Sequence, residues 1–399
     1  MILQHQPPVH LTYCMNIHPG EGWADQLAAL KTKVPVLRGM IAPDAWFGVG
    51  LRLGAKAVED LANHPQLRRS ALDVFAEHNI YPFTVNAFPY GRFHDGPVKE
   101  NVYAPDWRTS ERLNYTFDVC DILAEWLPEG VDGSISTVPG SFKKWIETED
   151  DKLTIVRNLA AVAAYLAAIR EDTGREIHLG VEPEPSCFLE TTAETIAFFQ
   201  DLMWTVGVEE VKRIRKCYTS DAEEMIRRHL GVCFDTCHVA LQFEDPAASL
   251  QAYRDAGIRI SKIQLSAALM IQSGGAAWDA LRQFVEPVYL HQVIGRTADG
   301  AIKSWDDLPL ALNDEAGRAE VGEARVHFHV PLFFTGAGEI NSTGGLLSPD
   351  FFRQILDGAT SHVEIETYTF DVLPAAIRPP DVVESIAREY AWALEHFRP

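Results

Sequence analysis

Short apolar runs alternate with stretches of helical period along the whole chain. The runs at 9–14, 34–40, 80–86, 133–137, 177–182, 231–235, 260–265 and 363–367 have strand length, and each ends near polar residues. Between them, apolar positions recur every three to four residues at 23–32, 55–63, 111–127, 153–171, 192–205, 222–230 and 246–256, the period of a helix with one buried face. Asp151 is a capping candidate for the fourth helix, and Thr192 with Glu194 for the fifth.

Strand-then-helix repetition predicts parallel βαβ units. Eight units without a composition break predict an α/β fold of the (β/α)8 TIM barrel type, with residues 1–399 as one domain. Such a barrel takes about 250 residues, so the surplus lies in insertions. The longest falls at about 266–360, between the seventh and eighth runs, and holds two further β-like runs at 287–294 and 324–333. These predict a hairpin over the barrel mouth. Neither G-x-G-x-x-G nor G-x4-G-K-[ST] occurs, so the main nucleotide-binding fingerprints are missing.

Hydrophobic residues make up 47% of the chain and charged residues 23%, an ordinary globular balance. The formal net charge of −21 changes the picture more. It repels phosphate backbones and anionic lipid, so the expected partner is a small-molecule substrate, not nucleic acid or membrane. The basic pairs Arg68-Arg69 and Arg227-Arg228 fall in helical stretches and read as solvated faces. The first eight residues carry no secretory pattern. The most apolar helical stretch, 159–169, falls short of the roughly 20 residues needed to span a bilayer. Cys233 and Cys237 flank Asp235 but have no second cysteine pair, so buried free thiols are preferred to a zinc-thiolate site. A reduced, cytoplasmic protein is expected, its oligomeric state open.

In a barrel, the residues closing each strand line the active site. The fifth run reads His178-Leu-Gly-Val-Glu182-Pro-Glu184, the sixth closes on Asp235-Thr-Cys-His238, the seventh on Gln264-Leu-Ser266, and the eighth reads His362-Val-Glu364-Ile-Glu366. Carboxylates gathered on one rim repel unless a positive charge neutralises them. One divalent cation or two (Mn²⁺, Mg²⁺, Co²⁺ or Zn²⁺) on oxygen and imidazole ligands is the simplest remedy. Each residue alone has a plainer reading: Asp235 as a helix cap, each Glu as a rim ion pair.

The segments GVEPEP, GVCFDTCH, KIQLSAAL and HVEIETYTF, with HLTYCMNIHPGEGW and NAFPYGRFHDGPVKENVYAPDW, resemble the xylose isomerase-like barrel superfamily, nearest its EboE-like "metabolite traffic" branch. That superfamily includes sugar epimerases, xylose and rhamnose isomerases and endonuclease IV-type enzymes. The resemblance implies metal ligands at Glu182, Asp235, the seventh-strand position and Glu366, the last preferred to Glu364. It implies a substrate contact at His238. Gln264 stands where the epimerases carry a histidine ligand, a departure that leaves the fourth place to Gln264 or to His329 of His327-Phe-His329. Those two histidines otherwise alternate across a hairpin.

Substrate contacts are expected from His18, Asn86, His94, Lys99, Trp107, Glu190, His238 and His327. The aromatic third-strand loop, with Phe88, Tyr90, Phe93 and Tyr103, suits a polyhydroxylated ring with an apolar face; it reads almost as well as a packed loop with a surface lysine. Lys99 could hold a phosphate or a developing enediolate charge, and Glu190 touches substrate or caps a helix. The expected chemistry is isomerisation or epimerisation of a sugar, sugar derivative or cyclitol, with Glu182 and Glu366 moving a carbon-bound proton. Two rivals stand beside it: a small-molecule phosphoesterase of the endonuclease IV kind, and a metabolite-binding barrel without turnover.

Overall fold

In the computed structural model, which describes residues 1–89 and 102–398, the central feature is a ring of parallel strands. Its members are β1 (Pro8–Tyr13), β2 (Phe47–Arg52), β3 (Ile80–Asn86), β4 (Gly133–Thr137), β5 (Ile177–Val181), β6 (Leu230–Asp235), β7 (Arg259–Leu265) and β8 (His362–Ile365). Each strand pairs in parallel with the next from β2 to β8, and β8 pairs with β1, His362 opposite His10. The ring closes between β1 and β2, where Cys14 bridges Gly50 and Thr12 Oγ1 donates to the Gly48 carbonyl at 2.9 Å. This is an eight-stranded (β/α)8 barrel. Strand Ile2–His5 is appended antiparallel to β1.

One strand is not where the apolar pattern puts it. Residues 34–40 lie in the helix Val34–Ile41, whose first turn takes Pro35 because an N–H there has no helical partner to lose. The strand is Phe47–Arg52, FGVGLR, buried at all six positions. Its glycines make room. A Cβ on Gly50 would collide with Glu364 Oε1 and lie 2.9 Å from the Tyr13 carbonyl oxygen. Gly50→Ala should therefore cost about 1–3 kcal/mol by overpacking, and an unchanged urea midpoint would refute that close fit.

Two caps also lie a little N-terminal to the residues expected. Thr148, not Asp151, caps the helix Glu149–Thr173, with Asp151 as its capping-box partner. Thr191 does the same for the next helix, with Glu194. The helix Glu149–Thr173 runs 25 residues and is long and apolar enough by composition to cross a membrane, contrary to the short run expected at 159–169. Here it buries Ile155, Leu159, Val162 and Leu166 in the core.

Between β7 and β8 lies a six-stranded antiparallel sheet in the order Ile302–Trp305, Val293–Thr297, Val321–Val326, Leu269–Gln272, Ile340–Ser342, Gly336–Ala337. The expected hairpin runs survive only at their edges. Val293–Thr297 pairs with Val321–Val326, while 287–292 and 327–333 are not strands. Those irregular segments reach the barrel mouth.

Candidate active site

The ends of β5, β6 and β8 bring Glu182, Asp235 and Glu366 together, each 5% exposed or less. Each offers an oxygen within 4.8 Å of the other two. Asp235 does two jobs. Its Oδ1 accepts from the backbone N–H of Cys237 (2.7 Å) and His238 (3.1 Å), capping the helix Thr236–Leu241, and from Ser266 Oγ (2.7 Å). Its Oδ2 has no hydrogen-bond partner among the described residues, and neither has Glu182 Oε2. Asn16 Nδ2 donates to Glu366 Oε1 at 3.0 Å. Burial, and then repulsion from the neighbouring carboxylates, push Glu182 and Glu366 well above the ordinary carboxylate range. Burial acts on Asp235 in the same sense, but the His238 and His329 rings outweigh it and bring Asp235 below its ordinary value. Orphaned buried carboxylate oxygens at this spacing fit a cation.

Beside them stand three buried imidazoles, and their outer hydrogen bonds set their tautomers. His238 Nδ1 faces the Pro183 carbonyl at 3.0 Å and His329 Nδ1 the Glu366 carbonyl at 3.0 Å. Carbonyls only accept, so both Nδ1 atoms carry the hydrogen. His327 Nδ1 faces Gln292 Oε1 at 2.7 Å, the Gln292 amide being turned so that its Nε2 donates to the Pro185 carbonyl. Three Nε2 lone pairs therefore converge: His238 to His327 at 3.1 Å, and His327 to His329 at 3.3 Å. Burial lowers His327 well below its ordinary pKa and His329 to about 4, so near neutrality no proton from either ring separates them. The edge of a tetrahedron with bonds of about 2.0 Å is about 3.3 Å. These spacings suit a zinc-like ion on nitrogen ligands, its outer hydrogen bonds already in place.

The pocket above these groups, a cavity of about 70 Å³, is walled by Phe88, Val102, Tyr103, Tyr289, Leu290 and Tyr368. Glu184 also lines it; Tyr103 Oη donates to Glu184 at 2.5 Å. The apolar pattern does not single out Glu184, although its offset of two from Glu182 was a usable signal. Asn16, Tyr289, Gln292 and Tyr368 had none, because insertion and loop segments carry no period.

Several expected contacts lie elsewhere. Gln264 is fully buried inside the barrel, its Nε2 donating to Asn86 at 3.1 Å and its Oε1 accepting from Cys233 Sγ at 2.9 Å. Its amide is committed, and His329 is the histidine that joins Asp235 and His238. Asn86 belongs to the same interior layer, bonded to Glu364, Lys262 and Ser136. His18 packs on Tyr13, with Nε2 2.9 Å from the phenol oxygen, and Trp107 is a core residue donating to Thr137 Oγ1 at 3.1 Å. Glu190 pairs with Lys143 at 3.1 Å on the rim. His238 and His327, expected as substrate contacts, both line the pocket, and their Nε2 atoms lie 3.1 Å apart. His94 and Lys99, with Tyr90 and Phe93, lie outside the described residues. All six cysteines are free, five of them buried.

Glu389 ties the site together from below. Its Oε1 accepts from Thr367 Oγ1 (2.6 Å), next to Glu366, and from the Leu332 N–H (3.1 Å) near His329. Burial raises its pKa from 4.5 to about 7. The folded state thus holds a proton that the unfolded state releases, and stability should fall by up to about 3 kcal/mol as pH rises between those values. Glu389→Gln should flatten that dependence. Urea midpoints at pH 5 and pH 8 test it, and an equal pH slope in both proteins would refute the assignment.

No protein-family model matches this chain, and no curated protein matches it. Among solved structures it is similar to the probable 3-DHS dehydratase AsbF of Bacillus anthracis, with 11% identity, 96% of this chain and 98% of that one covered, and a TM-score of 0.48. It is also similar to the IOLI protein with a zinc atom, with 13% identity, 98% of each chain covered and a TM-score of 0.47. A third is the 3-keto-D-glucoside 4-epimerase YcjR of E. coli, with 13% identity, 97% of this chain and 99% of that one covered, and a TM-score of 0.45. With TM-scores of 0.45 to 0.48 these likenesses add nothing to the fold, which stands on the strand order.

Proposed function

We propose that this barrel is a divalent-cation-dependent isomerase or epimerase of a small polyhydroxylated carbonyl compound: a sugar, a sugar derivative or a cyclitol. The observation that carries the reading is the buried trio Glu182, Asp235 and Glu366, one oxygen of each within 4.8 Å of the others and two of their oxygens without a hydrogen-bond partner among the described residues. Those residues, with His238, His327 and His329 beside them, would hold one cation or two. A cation there supplies Lewis acidity, lowering the pKa of a proton α to a carbonyl.

The chain's own residues do the rest. Glu182 from β5 and Glu366 from β8 approach the pocket from different strands, so one can take the carbon-bound proton and the other return it. Asn16 holds one Glu366 oxygen and leaves the other to face substrate. The tyrosine-rich wall shields the intermediate from water and offers hydroxyl hydrogen bonds.

Deuterium wash-in from D₂O at the carbon next to the carbonyl, across a panel of aldoses, ketoses and cyclitol ketones, tests this reading. Glu366→Gln should slow exchange by about 100-fold or more, and an unchanged rate on a true substrate would sink it. The imidazole trio favours a second reading, hydrolysis of a small phosphoester. Phosphate release without carbon-proton exchange would select it.

A further inference from the structure

At the opposite end of the barrel, where strands begin, a second cluster of ligand-type side chains stands far from the mouth in strand position. Asp132 precedes β4, His178 is the second residue of β5, and His362 opens β8. One ligand atom from each lies within 4.8 Å of the others. His178 Nε2 is 3.2 Å from Asp132 Oδ2, and His362 Nε2 is 3.3 Å from Asp132 Oδ1.

His362 is the informative member. It is fully buried, and neither ring nitrogen makes an aligned hydrogen bond among the described residues. A buried imidazole left so costs roughly 1–3 kcal/mol for each unmet group, and a ligand on Nε2 removes one of the two deficits. His178 is equally prepared. Its Nδ1 lies 2.7 Å from Ser261 Oγ, and that hydroxyl can donate to the His178 carbonyl at 3.4 Å. As it stands Nε2–H donates to Asp132 Oδ2 at 3.2 Å; in the other tautomer, with Nδ1–H donating to Ser261, the Nε2 lone pair is open to a cation. That is the outer-shell arrangement that metal-binding histidines use.

We propose that Asp132, His178 and His362 form a second cation site at the N-terminal end of the barrel, selective for zinc-like ions over magnesium or calcium. Selectivity follows from the donors. Two imidazoles favour borderline transition ions. The carboxylate is already shared with Arg259 at 3.1 Å and with Ser361 Oγ at 3.0 Å, so a hard cation that relies on carboxylate charge gains little. Asp132 is 23% exposed, and its partners Ser361 and Arg259 line an open cleft.

Zinc binding is measured by equilibrium dialysis and metal analysis on the full chain and three variants. His362→Gln and His178→Asn should each bind one zinc equivalent fewer than the unmodified protein. Asp235→Asn, altered only at the mouth, should keep that equivalent. A count unchanged by both bottom variants, with circular dichroism showing them folded, overturns the site. If neither variant folds, anomalous scattering at the zinc edge from crystals of the unmodified protein decides. A peak between the three side chains supports the site, and none at saturating zinc overturns it. Because the count is a difference between variants, it stands whether or not the mouth binds a cation.

Discussion

Lys262→Met is expected to destabilise the protein by about 3–5 kcal/mol, the cost of breaking a buried ion pair on one side. Lys262 and Glu364 are both fully buried, one layer below the mouth. Lys262 Nζ donates to Glu364 Oε2 at 2.5 Å and to Asn86 Oδ1 at 2.9 Å. Asn86 Nδ2 in turn lies 3.0 Å from each Glu364 oxygen. Burial opposes the charge on Lys262, yet Glu364 beside it raises its pKa above the ordinary lysine value. Removing the cation leaves Glu364 charged in a dry interior. Since a domain of this kind is stable by only about 5–15 kcal/mol, the loss would be visible in growth yield as well as in a urea titration. Adding Glu364→Gln to Lys262→Met should recover part of it. A single variant within about 0.5 kcal/mol of the parent would show that the pair contributes nothing.

The second large effect concerns Asp235→Asn, and its signature is a melting gap that widens when the ion is added. Asparagine caps a helix about as well as aspartate, so the bonds from Cys237 and His238 N–H can persist. What disappears is one negative charge from a trio of buried carboxylates. Without divalent ions the variant should melt somewhat below the parent, because the folded state favours the Asp235 charge beside the His238 and His329 rings. With Mn²⁺ or Zn²⁺ present the parent should gain several degrees and the variant little, while cation affinity and turnover fall by at least about 100-fold. Asp235→Ala should lose a further ~1 kcal/mol through the cap. Parallel melting shifts with and without the ion would mean that Asp235 is a cap and nothing more.

Seven of the eight ring strands are legible as apolar runs because strands buried on both faces have few polar positions to interrupt them. The exception is physical. Phe47–Arg52 spends two positions on glycine, Gly50 to let Glu364 and the Tyr13 backbone approach and Gly48 to admit the Phe83 ring, while Val34–Ile41 is apolar for helix packing. The three carboxylate positions could be read from strand ends, because alternation dictates which residues face the mouth. The imidazole positions could not be read so directly. Gln264 occupies a ring position but turns its amide into the interior layer, and His329 arrives from an irregular segment after Val321–Val326, where no period announces direction. Asn86 lies in the interior layer for a related reason: strand position gives the face of the sheet but not the depth within the barrel.

The staple formed by Glu389 bears on how the polypeptide is made. Glu182 and Asp235 leave the ribosome long before His327, His329 and Glu366, and the clamp on Thr367 and Leu332 comes from a helix at the very end of the chain. Ring closure likewise joins the first strand to the last. Contacts of such long sequence separation form late. A nascent chain therefore carries two buried-type carboxylates with only His238 to accompany them, and the site is complete only once the helix Val382–His396 docks.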